Sequence, residues 1–115
     1  MHLREIQEKL KRFDEVRGWD KFPASLVFTH LIEELGEISR HITVKEGYKA
    51  IGLGHDTPKK EDLTREFAQS FNLFTQIANS FNIDLESAVL SELEIMESRF
   101  PVKEWSEYMN NRNKT

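Results

Sequence analysis

Apolar residues recur along this chain at alternating steps of three and four, the spacing of helices that bury one face. Leu3, Ile6, Leu10 and Phe13 form the first such stripe, which ends near Gly18. Beyond Gly18-Trp19-Asp20-Lys21-Phe22-Pro23 comes a second stripe, Val27, Leu31, Leu35, Ile38 and Ile42, with Ser25 as its candidate cap. From Lys45 to Lys60 the periodicity lapses, and Gly47, Gly52, Gly54 and Pro58 mark an irregular connection of the length that often carries function. A third helix is expected from Glu61 to Phe81, with Phe67, Phe71, Phe74, Ala78 and Phe81 on one broad face. Asp84 then stands where an N-cap belongs, ahead of Leu85, Val89, Leu93, Met96 and Phe100, and Pro101 closes that stripe. The pattern predicts an all-α protein, a four-helix bundle over residues 1–101. Residues 102–115 form a partly frayed extension with a turn or two around Val102, Trp105 and Met109.

Composition narrows the function classes. With 115 residues, 38% of them hydrophobic and 31% charged, the chain has the make-up of one soluble domain, and no apolar run is long enough for a membrane span. Sixteen Lys and Arg against twenty Asp and Glu leave a net charge of −4 with no dense basic block, which argues against a nucleic acid polymer as partner. The N-terminus lacks the apolar stretch of a signal peptide, so a cytoplasmic location is expected. The absence of cysteine excludes a thiolate nucleophile and cysteine-held metals, leaving oxygen and imidazole as the only ligands for metal chemistry. Eight Phe are more aromatic surface than a four-helix monomer of this length covers, which predicts self-association.

Candidate chemistry lies in carboxylates placed inside the helices. The three-residue step from Glu34 to Glu37 puts both on one helix face, a pair that could hold Mg²⁺ with a substrate's phosphates or simply face solvent. Glu34 adjoins the apolar stripe, and Gly36 would let another backbone or a ligand come close. His30 and His41 extend the line by one turn each way and could serve a transition metal, but plain packing or exposure is the simpler reading because nothing else in the chain completes such a site. On the third helix Glu66, Gln69, Ser70 and Asn72 form a polar strip. Arg99 could hold a phosphate, pair with a carboxylate or lie on the surface.

The order of these parts resembles the MazG-like, all-α nucleoside triphosphate pyrophosphohydrolase family, near its small members that include dCTP pyrophosphatases. The resemblance runs from Leu3 to Pro101. It is carried by Arg17-Gly18-Trp19-Asp20-Lys21-Phe22, by Glu34-Leu35-Gly36-Glu37-Ile38, by Glu66, by Ile83-Asp84-Leu85-Glu86-Ser87-Ala88-Val89-Leu90 and by Arg99-Phe100-Pro101. It implies Mg²⁺, with Mn²⁺ as an alternative, held by Glu34, Glu37, Glu66 and the residue at Gln69. The substrate would be a nucleoside triphosphate cleaved to the monophosphate and pyrophosphate, with Glu37 as the base that activates water. Trp19 and Phe22 would stack on the nucleobase and Arg99 would meet phosphate, in a homodimer or homotetramer. The chain departs from the family pattern at Gln69, where an Asp is usual, and at Glu92 and Met96, where a Lys and an Asn are common. Loss of these groups weakens the implied activity, and the alternative is a non-catalytic module that binds a nucleotide or a protein.

Overall fold

Glycine 18 sets the first turn of the chain. Its φ of +73° lies in the left-handed region, where a side chain would be strained, and it lets the backbone reverse after helix α1, Leu3–Val16. A single 3₁₀ turn, Trp19–Lys21, and Pro23 lead into α2, Ala24–Lys45. Pro23 occupies the cap position, where its fixed φ suits helix entry and its missing N–H costs nothing. Ser25, the residue the sequence offers as a cap, falls inside the first turn, and its carbonyl accepts a hydrogen bond from Thr29 Oγ1 at 2.9 Å. The connection to α3, Lys60–Ser80, is irregular apart from an isolated bridge between Ile51 and His55. Asp84 caps α4, Leu85–Arg99, as expected, its Oδ1 accepting from the N–H groups of Glu86 and Ser87 at 3.1 and 3.4 Å.

The computed structural model describes residues 1–113. Among these the protein is all-α, with no strand longer than the isolated bridge. After Pro101 the chain forms a fifth helix, α5, Val102–Asn113, longer than the turn or two that the sequence suggests. Edge-to-face contacts, Phe100 to Trp105 at 6.2 Å and Trp105 to Tyr108 at 5.5 Å, tie its start to the end of α4. The last two residues, at the end of the expected frayed stretch, lie outside the described region. No described helix is long and apolar enough to cross a membrane.

The core is small and concentrated where α2 packs on α3. Val27, Leu31 and Ile38 of α2 and Ala78 of α3 are buried, and Thr75 is completely enclosed, its hydroxyl donating to the Phe71 carbonyl at 2.8 Å. Clefts between the two helices pair Ala24 and Val27 with Ile77 and Ser80 at one end, and Ile38 and Ile42 with Leu63 and Phe67 at the other. The two helices are therefore antiparallel.

Helix α4 meets α1 at its first turn, and the expected stripe along it is buried at Leu85 but exposed at Val89, Leu93, Met96 and Phe100. The radius of gyration is 18.8 Å, against about 13 Å for a compact chain of this length. Phe67, Phe71 and Phe74 on α3, and Phe81 just after it, are likewise exposed in the single chain.

The α1 to α4 junction is held by a buried amide in an apolar stripe. Gln7 donates through Nε2 to Asn79 Oδ1 at 2.8 Å and to the Ile83 carbonyl at 2.7 Å, and its Oε1 accepts from the Leu85 N–H at 2.9 Å. Arg4 adds ion pairs to Asp84 at 2.7 Å and Glu86 at 3.1 Å on the exposed side. Gln7→Leu keeps the volume but strands the Leu85 N–H and the Ile83 carbonyl. It should lower stability by about 2–3 kcal/mol in urea unfolding. A loss below about 0.5 kcal/mol would mean that water replaces the amide without cost.

Candidate functional site

The antiparallel packing of α2 on α3 brings one of the predicted acids, Glu66, against α2. His41 near the C-terminal end of α2 meets Glu66 of α3, Nε2 to Oε2 at 3.1 Å, and both side chains are largely buried. Moving back along α2 to Glu37 and Glu34 corresponds to moving forward along α3 to Ser70 and beyond. Each acid takes its own basic neighbour: Glu34 Oε1 lies 3.5 Å from His30 Nε2, and Glu37 Oε2 accepts from Arg40 at 2.8 Å. The hydrogen bond to Glu37, with weaker attraction from Glu66 and Asp56, holds the Arg40 guanidinium even more firmly protonated than usual. Arg40 thus stands among carboxylates as a cation built into the chain.

These side chains are not gathered into a finished metal centre. Among the described residues no three His, Asp or Glu groups are close enough together to hold an ion. The donor chemistry nevertheless suits a divalent cation: Glu66 Oε2 is shut off from solvent and has no hydrogen-bond donor, as is the Ser70 hydroxyl one turn on. A buried carboxylate oxygen without a donor is costly unless a cation meets it. Gln69 does not share this setting, for its side chain is exposed while Ser70 takes the inward position. Gly36 has no atom within 4 Å of where a Cβ would stand, so it serves no close approach inside this chain.

A mainly apolar cleft of about 530 Å³ opens beside the seam, walled by Phe13, Trp19, Phe22, Leu26, His30 and Leu73 among others. Its aromatic wall is fixed by Phe13 edge-on to Trp19 at 5.7 Å, and by Gln76 Nε2 donating to the Trp19 carbonyl at 3.0 Å. His30 belongs both to this cleft and to the Glu34 pair, so the cleft reaches one of the three acids through that histidine. Trp19 and Phe22 are brought together in the cleft. Arg99 is not: it ends α4, whose packing is against α1, and its guanidinium lies 5.0 Å over the Phe100 ring. Fifteen residues of α4 make about 21 Å of helix between the α1 junction and Arg99.

Sequence reasoning placed Glu34, Glu37, His30 and His41 on one line but missed Arg40, whose three-residue step from Glu37 was the available signal. It had no way to see that Glu66 would meet His41.

The chain is similar to the uncharacterized protein YvdC of Bacillus subtilis (strain 168). The two are 25% identical over 109 residues, which span 87% of this chain and 97% of that protein. No family model matches the chain, and no solved structure matches it.

Asp14 also lines the cleft, and burial, followed by repulsion from Asp20 and partly offset by Arg17, pushes its carboxyl above the ordinary range. A raised carboxyl means that ionisation opposes folding above the unfolded-state value near 4, and that this cost disappears as the group protonates. Asp14→Asn should therefore raise the melting temperature at pH 7 and leave it unchanged near pH 3. Thermal unfolding at both values tests this, and a lower melting temperature at pH 7 would contradict it.

Proposed function

We propose that this chain is a divalent-metal-dependent nucleoside triphosphate pyrophosphohydrolase of the MazG-like all-α kind, with weak turnover. The observation that carries the reading is the adjacency of two unlike surfaces. An aromatic cleft containing Trp19 and Phe22 shares His30 with Glu34, on the helix that also carries Glu37 and whose His41 meets Glu66. A nucleotide has the same division, a flat aromatic base and a polyanion that needs cations. The resemblance in the order of motifs from Leu3 to Pro101 points the same way.

In this reading Glu34, Glu37 and Glu66 would hold Mg²⁺ or Mn²⁺, while Gln69, exposed on α3, adds no donor to the set. When bound, the ion neutralises phosphate charge and makes water easier to deprotonate. Trp19 and Phe22 stack on the base and keep water from that end of the substrate. Glu37, released from Arg40, takes a proton from the attacking water. The bridging bond between the α and β phosphates breaks, giving the monophosphate and pyrophosphate.

A panel of nucleoside triphosphates with Mg²⁺ or Mn²⁺, scored for pyrophosphate, tests this. We expect product at least about 100-fold above background and a drop of about 100-fold in Glu37→Gln. No pyrophosphate from any member of the panel would remove the enzyme reading.

A second reading has its own support. His30, Arg40 and His41 each stand at one of the three carboxylates, as they would in a module that binds a nucleotide or a protein without turnover. It predicts nucleotide affinity without product in the same panel.

The active form in our reading is a homodimer or homotetramer. The exposed faces of α3 and α4 and the extended shape describe a chain whose apolar stripes have no partner within it. Sedimentation velocity at micromolar concentration should give a multiple of 13.5 kDa. A clean monomer would contradict it.

A further inference from the structure

Resting on the proposed carboxylate site, we propose that His41 is a direct metal ligand, an imidazole that replaces the carboxylate missing at Gln69. Three observations meet at this residue. His41 Nε2 lies 3.1 Å from Glu66 Oε2, yet the contact is not aligned as a hydrogen bond and the oxygen has no donor. Two ligands bound at about 2.1 Å on neighbouring corners of an octahedron stand about 3.0 Å apart. The separation therefore suits two donors to one ion, and the missing hydrogen-bond alignment sets it apart from an ordinary N–H···O contact of the same length. Both side chains are largely buried, His41 at 12% and Glu66 at 14% exposed, which is the enclosed setting a bound ion needs and a surface ion pair does not.

The helix supplies a third donor. Glu37 precedes His41 by four residues, so the two share one face of α2, one turn apart. Glu37 is now turned to Arg40, an exposed partner that solvent can replace. Its rotation toward His41 and Glu66 would complete a set of two carboxylates and one imidazole. Gln69, by contrast, is exposed and carries no charge. A mixed oxygen and nitrogen set favours Mn²⁺, Fe²⁺ or Zn²⁺ over Mg²⁺ relative to an all-carboxylate set, because imidazole is the softer donor.

Pulsed electron paramagnetic resonance on Mn²⁺ tests the assignment. The probe is the full chain loaded with Mn²⁺ and inorganic triphosphate, which contains no nitrogen, so any ¹⁴N modulation comes from the protein. We expect that modulation in the wild type, its change to the ¹⁵N frequency when only histidine is ¹⁵N-labelled, and its retention in His30→Gln. His41→Gln should abolish it and weaken Mn²⁺ binding at least about tenfold. His41→Asp should keep Mn²⁺ bound without the nitrogen signal and shift preference back toward Mg²⁺. The labelled wild type gives its answer even where a variant fails to fold. Bound Mn²⁺ without histidine modulation, or modulation that survives His41→Gln, overturns the role of His41 and leaves the carboxylate site standing. If Mn²⁺ and triphosphate do not bind, or bind equally to Glu34→Gln, Glu37→Gln and Glu66→Gln, the carboxylate reading falls with it.

Discussion

The packing of α2 against α3 is the constraint on which the rest of this molecule depends. Most of the buried side chains, Val27, Leu31, Ile38, Thr75 and Ala78, lie along that one contact. Because both helices run past twenty residues and lie antiparallel, the apolar register also fixes the polar one: once Ile38 is buried, His41 arrives at Glu66. The candidate chemistry is thus a by-product of core packing, and any change that slid the helices by a turn would separate the acids before it unfolded the protein. Helix α1 closes over one end of this pair, and the 3₁₀ turn after it supplies the aromatic wall of the neighbouring cleft.

Electrostatics divides the seam into two conditions. In the isolated chain Glu34 and Glu37 each have a base of their own helix beside them, whereas Glu66 has only His41 of the facing helix, without an aligned hydrogen bond. Those partners differ in kind. Arg40 is a fixed positive charge near the solvent, whereas the imidazole of a histidine is also a common metal donor. The same residues that quiet the site when empty can therefore take part in it when filled.

Much of the fold was legible because helices advertise themselves through period and punctuation. The stripes of α1 to α4, the Asp84 cap and the irregular stretch after Lys45 all follow from residue spacing. Ser25 misled because a preceding proline can begin a helix without any side-chain cap. Helix α5 was underestimated because its hold on α4 comes from the aromatic series Phe100, Trp105 and Tyr108, whose contacts are not a core stripe. Within the candidate site, the Glu34 and Glu37 pair could be read from one helix alone. The meeting of His41 with Glu66 could not, since it depends on the register between helices separated by a long connection. Nor could spacing show that Ser70, rather than Gln69, would take the inward place beside Glu66.

The claim at the centre of this account is that base cleft and carboxylate seam act on one nucleotide through a metal ion. The most direct measurement is calorimetric titration with a nucleoside triphosphate analogue that cannot be cleaved between its α and β phosphates, with and without Mn²⁺. The account predicts saturable binding only with the metal present, weakened both by Trp19→Ala in the cleft and by Glu66→Gln in the seam. Binding that is equally strong without metal, or indifferent to Glu66→Gln, would contradict it.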